Sequence, residues 1–247
     1  MELDSRPSGQ TARTVSKRLR RLANSKRAKA SAWFFKTGPG EYGEGDVFLG
    51  ISVPQTRREA KRFRRLPLTE IRELLHSPLH EERLLALLVL VHRYERGDER
   101  ERGKIFRFYV ANARRVNNWD LVDLSAPAIV GEHLANRSRA LLRQFARSSN
   151  LWERRIAVVA TFAFIRRGEL APTFEIARRF LGDRHDLIHK ATGWALREAG
   201  KRDAAALRRF LRRDSARMPR TALRYAIERF PQEERRRWLA RPSSRTP

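Results

Sequence analysis

Residues 117–123 read NNWDLVD. Asn117 or Asn118 suits a helix N-cap. Trp119 and Asp123, four residues apart, then share one face of the helix that follows. Asp120 turns toward the exposed first turn, where the helix macrodipole accounts for a carboxylate. For Asp123 that account and a chemical one stand level, because an anion beside an aromatic ring can stabilise a developing cation. A second patch, residues 188–198 (IHKATGWALRE), sets Lys190, Trp194 and Arg197 on one face at i, i+4 and i+7. Such a face can stack on a sugar or base while its cations hold phosphates; the ordinary alternative is a tryptophan packed between helices. Gly193 costs helix stability by about 1 kcal/mol against Ala and leaves room for a neighbouring helix or a ligand backbone. A third patch, residues 151–159 (LWERRIAVV), opens a helix with Arg154 and Arg155. Adjacent helical residues diverge by about 100°, so only one of the two can face a given groove; a solvated basic face is the alternative.

Other chemistries are excluded by what is missing. With no cysteine, the chain has no disulfide, no Cys-based zinc site and no thiol nucleophile. Its six histidines form no HExxH motif and no paired spacing with cysteine, so no metal site is expected. No Gly-x-Ser-x-Gly elbow occurs. The Gly-rich stretch at residues 36–46 (KTGPGEYGEGD) lacks the Gly-Lys-Ser/Thr of a P-loop and reads as an ordinary loop. What remains is one candidate carboxylate, Asp123, among tryptophans and arginines. A single carboxylate suffices only when the leaving group is already good. An N3- or N7-alkylated purine in DNA is such a case, because the cationic base departs without protonation. The oxocarbenium-like sugar then needs an anion and a positioned water, and tryptophan faces can hold the cationic base or sugar.

The elements that must position these residues are helices. Apolar residues recur at spacings of three and four, as in Ile71, Leu74, Leu75 and in Leu84, Leu87, Leu88, Val91, and no stretch alternates strictly. Residues 13–32 read as a basic amphipathic helix followed by a second helix ending near Phe35. Breaks are expected at Pro67, Pro78, Gly97, Pro127, Gly168, Pro172, Gly182, Gly200 and Pro231. Leu79, Trp119, Leu151, Leu187 and Met218 mark recurring helix starts about 30 to 40 residues apart, the helical-repeat range. The expected fold is all-α, an α-solenoid of HEAT-like repeats with a concave basic groove; an irregular bundle is the alternative. The expected layout is a flexible tail at 1–12, one repeat domain at 13–240 and a flexible tail at 241–247. The chain carries 54 Lys+Arg against 28 Asp+Glu, a net charge of +26. Such a balance implies a polyanionic partner, nucleic acid first and an anionic membrane surface second. At 41% hydrophobic residues it buries a sizeable core.

The sequence resembles the AlkD-like DNA alkylation repair proteins, glycosylases built from HEAT-like repeats, over residues 32–238. The resemblance is carried by FLGISVPQTRREAK (residues 48–61), NNWDLVD, LWERRIAV and IHKATGWALREAGK (residues 188–201), in family order. It implies that Asp123 is the catalytic carboxylate, that Trp119 and Trp194 contact the sugar, and that Arg155 is the groove arginine beside Arg154. Lys190 and Arg197 are expected to bind DNA with them. The family's first-repeat aromatic, often Tyr, falls on Phe34 in AWFFK, with Tyr42 in the following loop as the alternative. The implied activity is hydrolysis of the N-glycosidic bond of 3-methyladenine- and 7-methylguanine-type lesions in duplex DNA, without metal or cofactor. It also suggests processing without base insertion into a deep pocket.

Two other readings are weighed beside this one. A non-catalytic HEAT-repeat nucleic-acid binder follows from charge alone, and a solenoid gripping an acidic protein follows from the scaffold. The N-terminal stretch lacks the apolar core of a signal peptide, and the longest apolar run, residues 84–91, is too short to span a bilayer. The expectation is a cytoplasmic, nucleoid-associated monomer with no membrane partner.

Overall fold

The structure, a computed structural model, describes residues 10–241. Most of the two expected tails lies outside the described residues. The first helix already starts at Ala12, which is buried, behind a capping box between Thr11 and Thr14. Among the described residues every regular element is helical, and the one β-contact is an isolated bridge between Val47 and Leu79. No described helix is long and apolar enough to cross a membrane.

The chain divides into two compact units, Met1–Leu121 and Val122–Pro247. The first holds α1 (Ala12–Arg20), α2 (Ser25–Phe34), α3 (Val53–Arg62), α4 (Leu68–Leu75), α5 (His80–Arg96) and α6 (Glu99–Ala111), and the start of α7 (Trp119–Ala126). Its core helix is α5. Residues 84–90 are buried all round, and α3, α4 and α6 pack against it. A helix apolar all round is stable only when neighbours cover every side.

The second unit continues with a π-helical turn (Pro127–Gly131), α8 (Glu132–Leu134), α9 (Ala140–Phe145), α10 (Leu151–Val159), α11 (Phe162–Arg166) and α12 (Ala171–Arg179). It ends with α13 (Asp186–Arg202), α14 (Ala204–Asp214), α15 (Arg220–Ala226) and α16 (Gln232–Ala240). Here α10 packs on α9 and α13, and α13 packs on α14 and α15. Each long helix touches the next in line, the contact pattern of stacked helical repeats.

The five marker residues fall where repeats require. Leu79 caps α5, Trp119 and Leu151 open α7 and α10, Leu187 lies in the first turn of α13, and Met218 precedes α15 by two residues. Seven of the expected breaks separate or begin helices. Two do not. At Pro127 the chain stays helical by widening into the π turn, which absorbs the missing N–H. At Gly200, α13 runs on to Arg202, and the missing side chain admits Leu207 of α14: an added Cβ would lie 2.4 Å from its Cδ2.

Candidate functional site

In the first unit the site is built on the end of α2. No residue of α2 is buried, so its position depends on what holds its ends. Residues 49–51 do this. Their backbone N–H groups donate to the buried Glu81 carboxylate at 2.9, 2.7 and 3.1 Å. Gly50, at φ +76°, lies so close to α2 that an added Cβ would sit 2.2 Å from the Asn24 carbonyl. Asn24 N–H donates to the Leu49 carbonyl and Arg27 Nε to the Gly50 carbonyl. The LGI part of FLGISVPQTRREAK is thus the seat of α2.

Seated this way, α2 delivers a row of aromatic side chains. Phe35 stacks on Trp119 (5.2 Å between centroids, 17° between planes) and on Phe48 (5.0 Å, 22°). Phe34 meets Trp119 edge-on at 6.0 Å and remains 57% exposed; Trp33 is 78% exposed. The ring that stacks on Trp119 is Phe35, next to Phe34 in the chain. Tyr42 is half-buried in the loop that follows.

Beneath these rings lies a buried polar network that the sequence reading does not contain. His80 stacks on Phe48 (4.5 Å, 23°). Its Nε2 bonds Asp120 Oδ2 at 2.9 Å and its Nδ1 bonds Asp46 Oδ2 at 3.2 Å. Asp46 also accepts from Arg83 (2.5 Å) and from Asn118 Nδ2 (2.9 Å), while Asn118 Oδ1 accepts from the Trp119 N–H. Burial alone would lower the His80 pKa. Hydrogen bonds to Asp120 and Asp46 and the charge of Asp120 outweigh burial and the opposing Arg83, and push it up to about 9. Burial likewise works against ionised Asp46, but His80, Arg83 and Asn118 hold its pKa below the usual carboxylate range. Asp120, read from sequence as turned to solvent, is instead the acceptor that fixes His80. The partners of His80 lie far from it in the chain, Asp46 34 residues before and Asp120 40 residues after.

In the second unit the site centres on Asp123. Arg155 Nε and Nη2 donate to Asp123 Oδ1 and Oδ2 at 2.9 and 2.8 Å, a bidentate pair. The third arm, Arg155 Nη1, donates to the Leu187 carbonyl in the first turn of α13 at 2.7 Å. Arg155 is only 5% exposed, whereas the Asp123 side chain keeps 17% of its surface. Arg155 is thus not a solvated cation. Its donors aim Asp123. Arg154 diverges from it, as adjacent helical residues must, and binds Asp183 (2.8 Å) and the carbonyls of Ser148 and Ser149.

On α13, Trp194 is half-buried against Phe162, with centroids 4.3 Å apart. Lys190 pairs with Asp186 (2.6 Å) and Arg197 with Glu198 and Glu228. Gly193 admits a neighbouring helix: an added Cβ would lie 2.5 Å from both the Ala222 carbonyl oxygen and Tyr225 Cβ of α15. Among the described residues no group of three or more acidic or histidine side chains could hold a metal ion.

A family model described as DNA alkylation repair enzyme matches residues 15–230. The chain belongs to the DNA alkylation repair enzyme family. Among solved structures, one described as a predicted DNA alkylation repair enzyme from Enterococcus faecalis shares the fold. Its TM-score is 0.67 at 17% identity, covering 85% of this chain and 98% of that one. No curated protein matches the sequence. Family membership gives a role in DNA alkylation repair and DNA as the partner. Two features of this family member have no sequence signal strong enough to find them. Phe35 is masked by its neighbours Trp33 and Phe34, and the His80 network draws on residues far apart in the chain.

Proposed function

We propose that the protein is a monofunctional DNA glycosylase that hydrolyses the N-glycosidic bond of cationic N3- and N7-alkylated purines in duplex DNA. The observation that carries this reading is the Asp123–Arg155 pair: a partly exposed carboxylate whose orientation is fixed by a buried, three-armed arginine. In the proposed reaction the C1′–N bond breaks first, and its electron pair neutralises the departing base. The positive charge moves to the sugar, where Asp123 stabilises it electrostatically. Water then adds to C1′ and releases its proton. No metal or cofactor enters these steps. Trp119 and Trp194 are assigned to the sugar and base, supported by their partial exposure and by the family resemblance. Lys190, Arg197 and the exposed Trp33 and Phe34 are assigned to the flanking strand.

The test is release of methylated purines from alkylated duplex DNA by wild type and Asp123→Asn. Losing one preorganised electrostatic group is expected to slow release by about a hundredfold or more. Equal rates would remove Asp123 from the mechanism. The binding-only reading, favoured by the charge of +26, predicts salt-sensitive affinity with no release above the spontaneous rate.

A further inference from the structure

A cleft of about 570 Å³ lies where α3 and α5 end, far along α5 from the aromatic cluster. Its walls include Lys61, Arg64, Arg65, His92, Arg93 and Arg96. Five of these are full cations, and the cleft has one carboxylate, Glu101, which is already engaged by Arg93 at 2.5 and 2.9 Å. Arg96 has Glu95 only at 4.0 Å. Among the described residues Lys61, Arg64 and Arg65 make no ion pair. Both helices present their C-termini here, and the macrodipole favours a cation at each. That effect accounts for one or two basic residues, not for five sharing one cavity, three of them without an ion pair, where like charges repel.

His92 fits an anion site as well. Arg96 Nη1 donates to its Nδ1 at 3.0 Å. Arginine can only donate, so Nδ1 accepts and the neutral ring carries its proton on Nε2. Burial, then Arg96, with Arg64 and Lys61 adding and Glu95 opposing, holds the His92 pKa below its ordinary value. The ring is therefore a neutral N–H donor in a cationic cleft at neutral pH.

The charge does not stop at the cleft. On α3, Arg57, Arg58, Lys61 and Arg62 are all exposed at i, i+1, i+4 and i+5, a single helix face leading to Arg64 and Arg65. A small anion needs only a cleft. A stripe that runs along a helix and ends in a cleft matches a polymer whose charges repeat at a few ångström spacing. We propose that the α3 stripe and this cleft hold a second length of nucleic-acid phosphate backbone, separate from the contact at the aromatic cluster. The 17 residues of α5 set the two contacts about 25 Å apart, since His80 begins that helix and Arg96 ends it. The second contact adds affinity and register and takes no part in bond cleavage.

The inference rests on nucleic acid being the partner. Its test is the salt dependence of duplex affinity for Arg64→Gln/Arg65→Gln/Arg96→Gln, beside a control with Arg212→Gln/Arg213→Gln/Arg217→Gln. All six positions are exposed, so both variants should fold. Each phosphate contact contributes a slope of about −0.9 in log affinity against log salt. The cleft variant is expected to lose about two to three units of slope and to bind at least tenfold more weakly, with base release at saturating DNA unchanged. An unchanged slope, or an equal loss in the control, would overturn the proposal. So would tight binding of inorganic triphosphate by wild type with no change in duplex slope, which would make the cleft a small-anion site. If wild type releases bases and the cleft variant keeps its slope, only the second contact fails. If wild type neither binds nor processes DNA, the glycosylase reading itself fails.

Discussion

Between two carboxylates and beneath the ring of Phe48, His80 is held as an imidazolium at neutral pH. The consequence is a dependence of stability on pH. A group whose folded pKa lies above its unfolded value contributes its full stabilisation below about pH 6.5 and loses it as pH rises through the folded value, here about 9. The shift corresponds to on the order of 3 kcal/mol. Urea unfolding midpoints of wild type are therefore expected to fall between pH 7 and 9.5. His80→Gln, which cannot take the charge, is expected to be less stable at pH 7 and nearly flat over that window. A wild-type midpoint that holds steady to pH 9.5 would mean the imidazolium is not what binds Asp46 to Asp120. Asp46 works in the opposite direction, its contribution present above the ordinary carboxylate range and lost as pH falls through its depressed folded value. Network strength therefore peaks between the two titrations.

At the scale of elements, α13 is where packing and propensity disagree. Gly193 weakens a helix by about 1 kcal/mol relative to Ala, so propensity alone makes Gly193→Ala stabilising. The backbone of α15 stands in the way, with the Ala222 carbonyl oxygen 2.5 Å from where the new methyl would sit. Overpacking of this kind costs about 1–3 kcal/mol, and a carbonyl cannot rotate aside as a side chain can. The expected net result is destabilisation of up to about 2 kcal/mol in chemical denaturation; a gain in stability would show that α15 shifts freely. The sequence displays the glycine beside Trp194 but not which of two neighbours needs it, because the facing residue, Ala222, lies 29 positions on. The same limit runs through the molecule. Helix starts at Leu79, Trp119 and Leu151 are legible because capping and periodicity are local. Pro127 misleads because a π turn is a tertiary accommodation. Asp123 and Arg155 are each visible in their motifs, yet their pairing belongs to the packing of two helices. Phe35 is hidden because three consecutive aromatic residues leave the stacking partner to the exit geometry of α2.

At the scale of the whole molecule, charge sets two opposing responses to salt. Even if every carboxylate were paired with a cation, 26 positive charges would remain without a partner. Repulsion among them opposes the compact state and is relieved by screening, which shortens from about 30 Å at 0.01 M to about 8 Å at 0.15 M. The interior pairs are sheltered from that screening: Arg155 with Asp123 and Arg83 with Asp46 have arginines almost without exposed surface. Surface pairs such as Arg237 with Glu233 are exposed on both sides and worth at most about 1 kcal/mol each. Relief of repulsion is therefore expected to outweigh the loss of surface pairs. Thermal unfolding between 0.01 and 0.15 M sodium chloride should show the midpoint of the free protein rising by several degrees. Over the same range duplex affinity should fall steeply, because each phosphate held releases condensed counterions. Adding duplex at low salt should raise the midpoint in the way salt does, by neutralisation and by mass action on the folded state. A midpoint that falls as salt rises would place the stability in the surface ion pairs after all, and would shift the weight of the +26 from repulsion to local pairing.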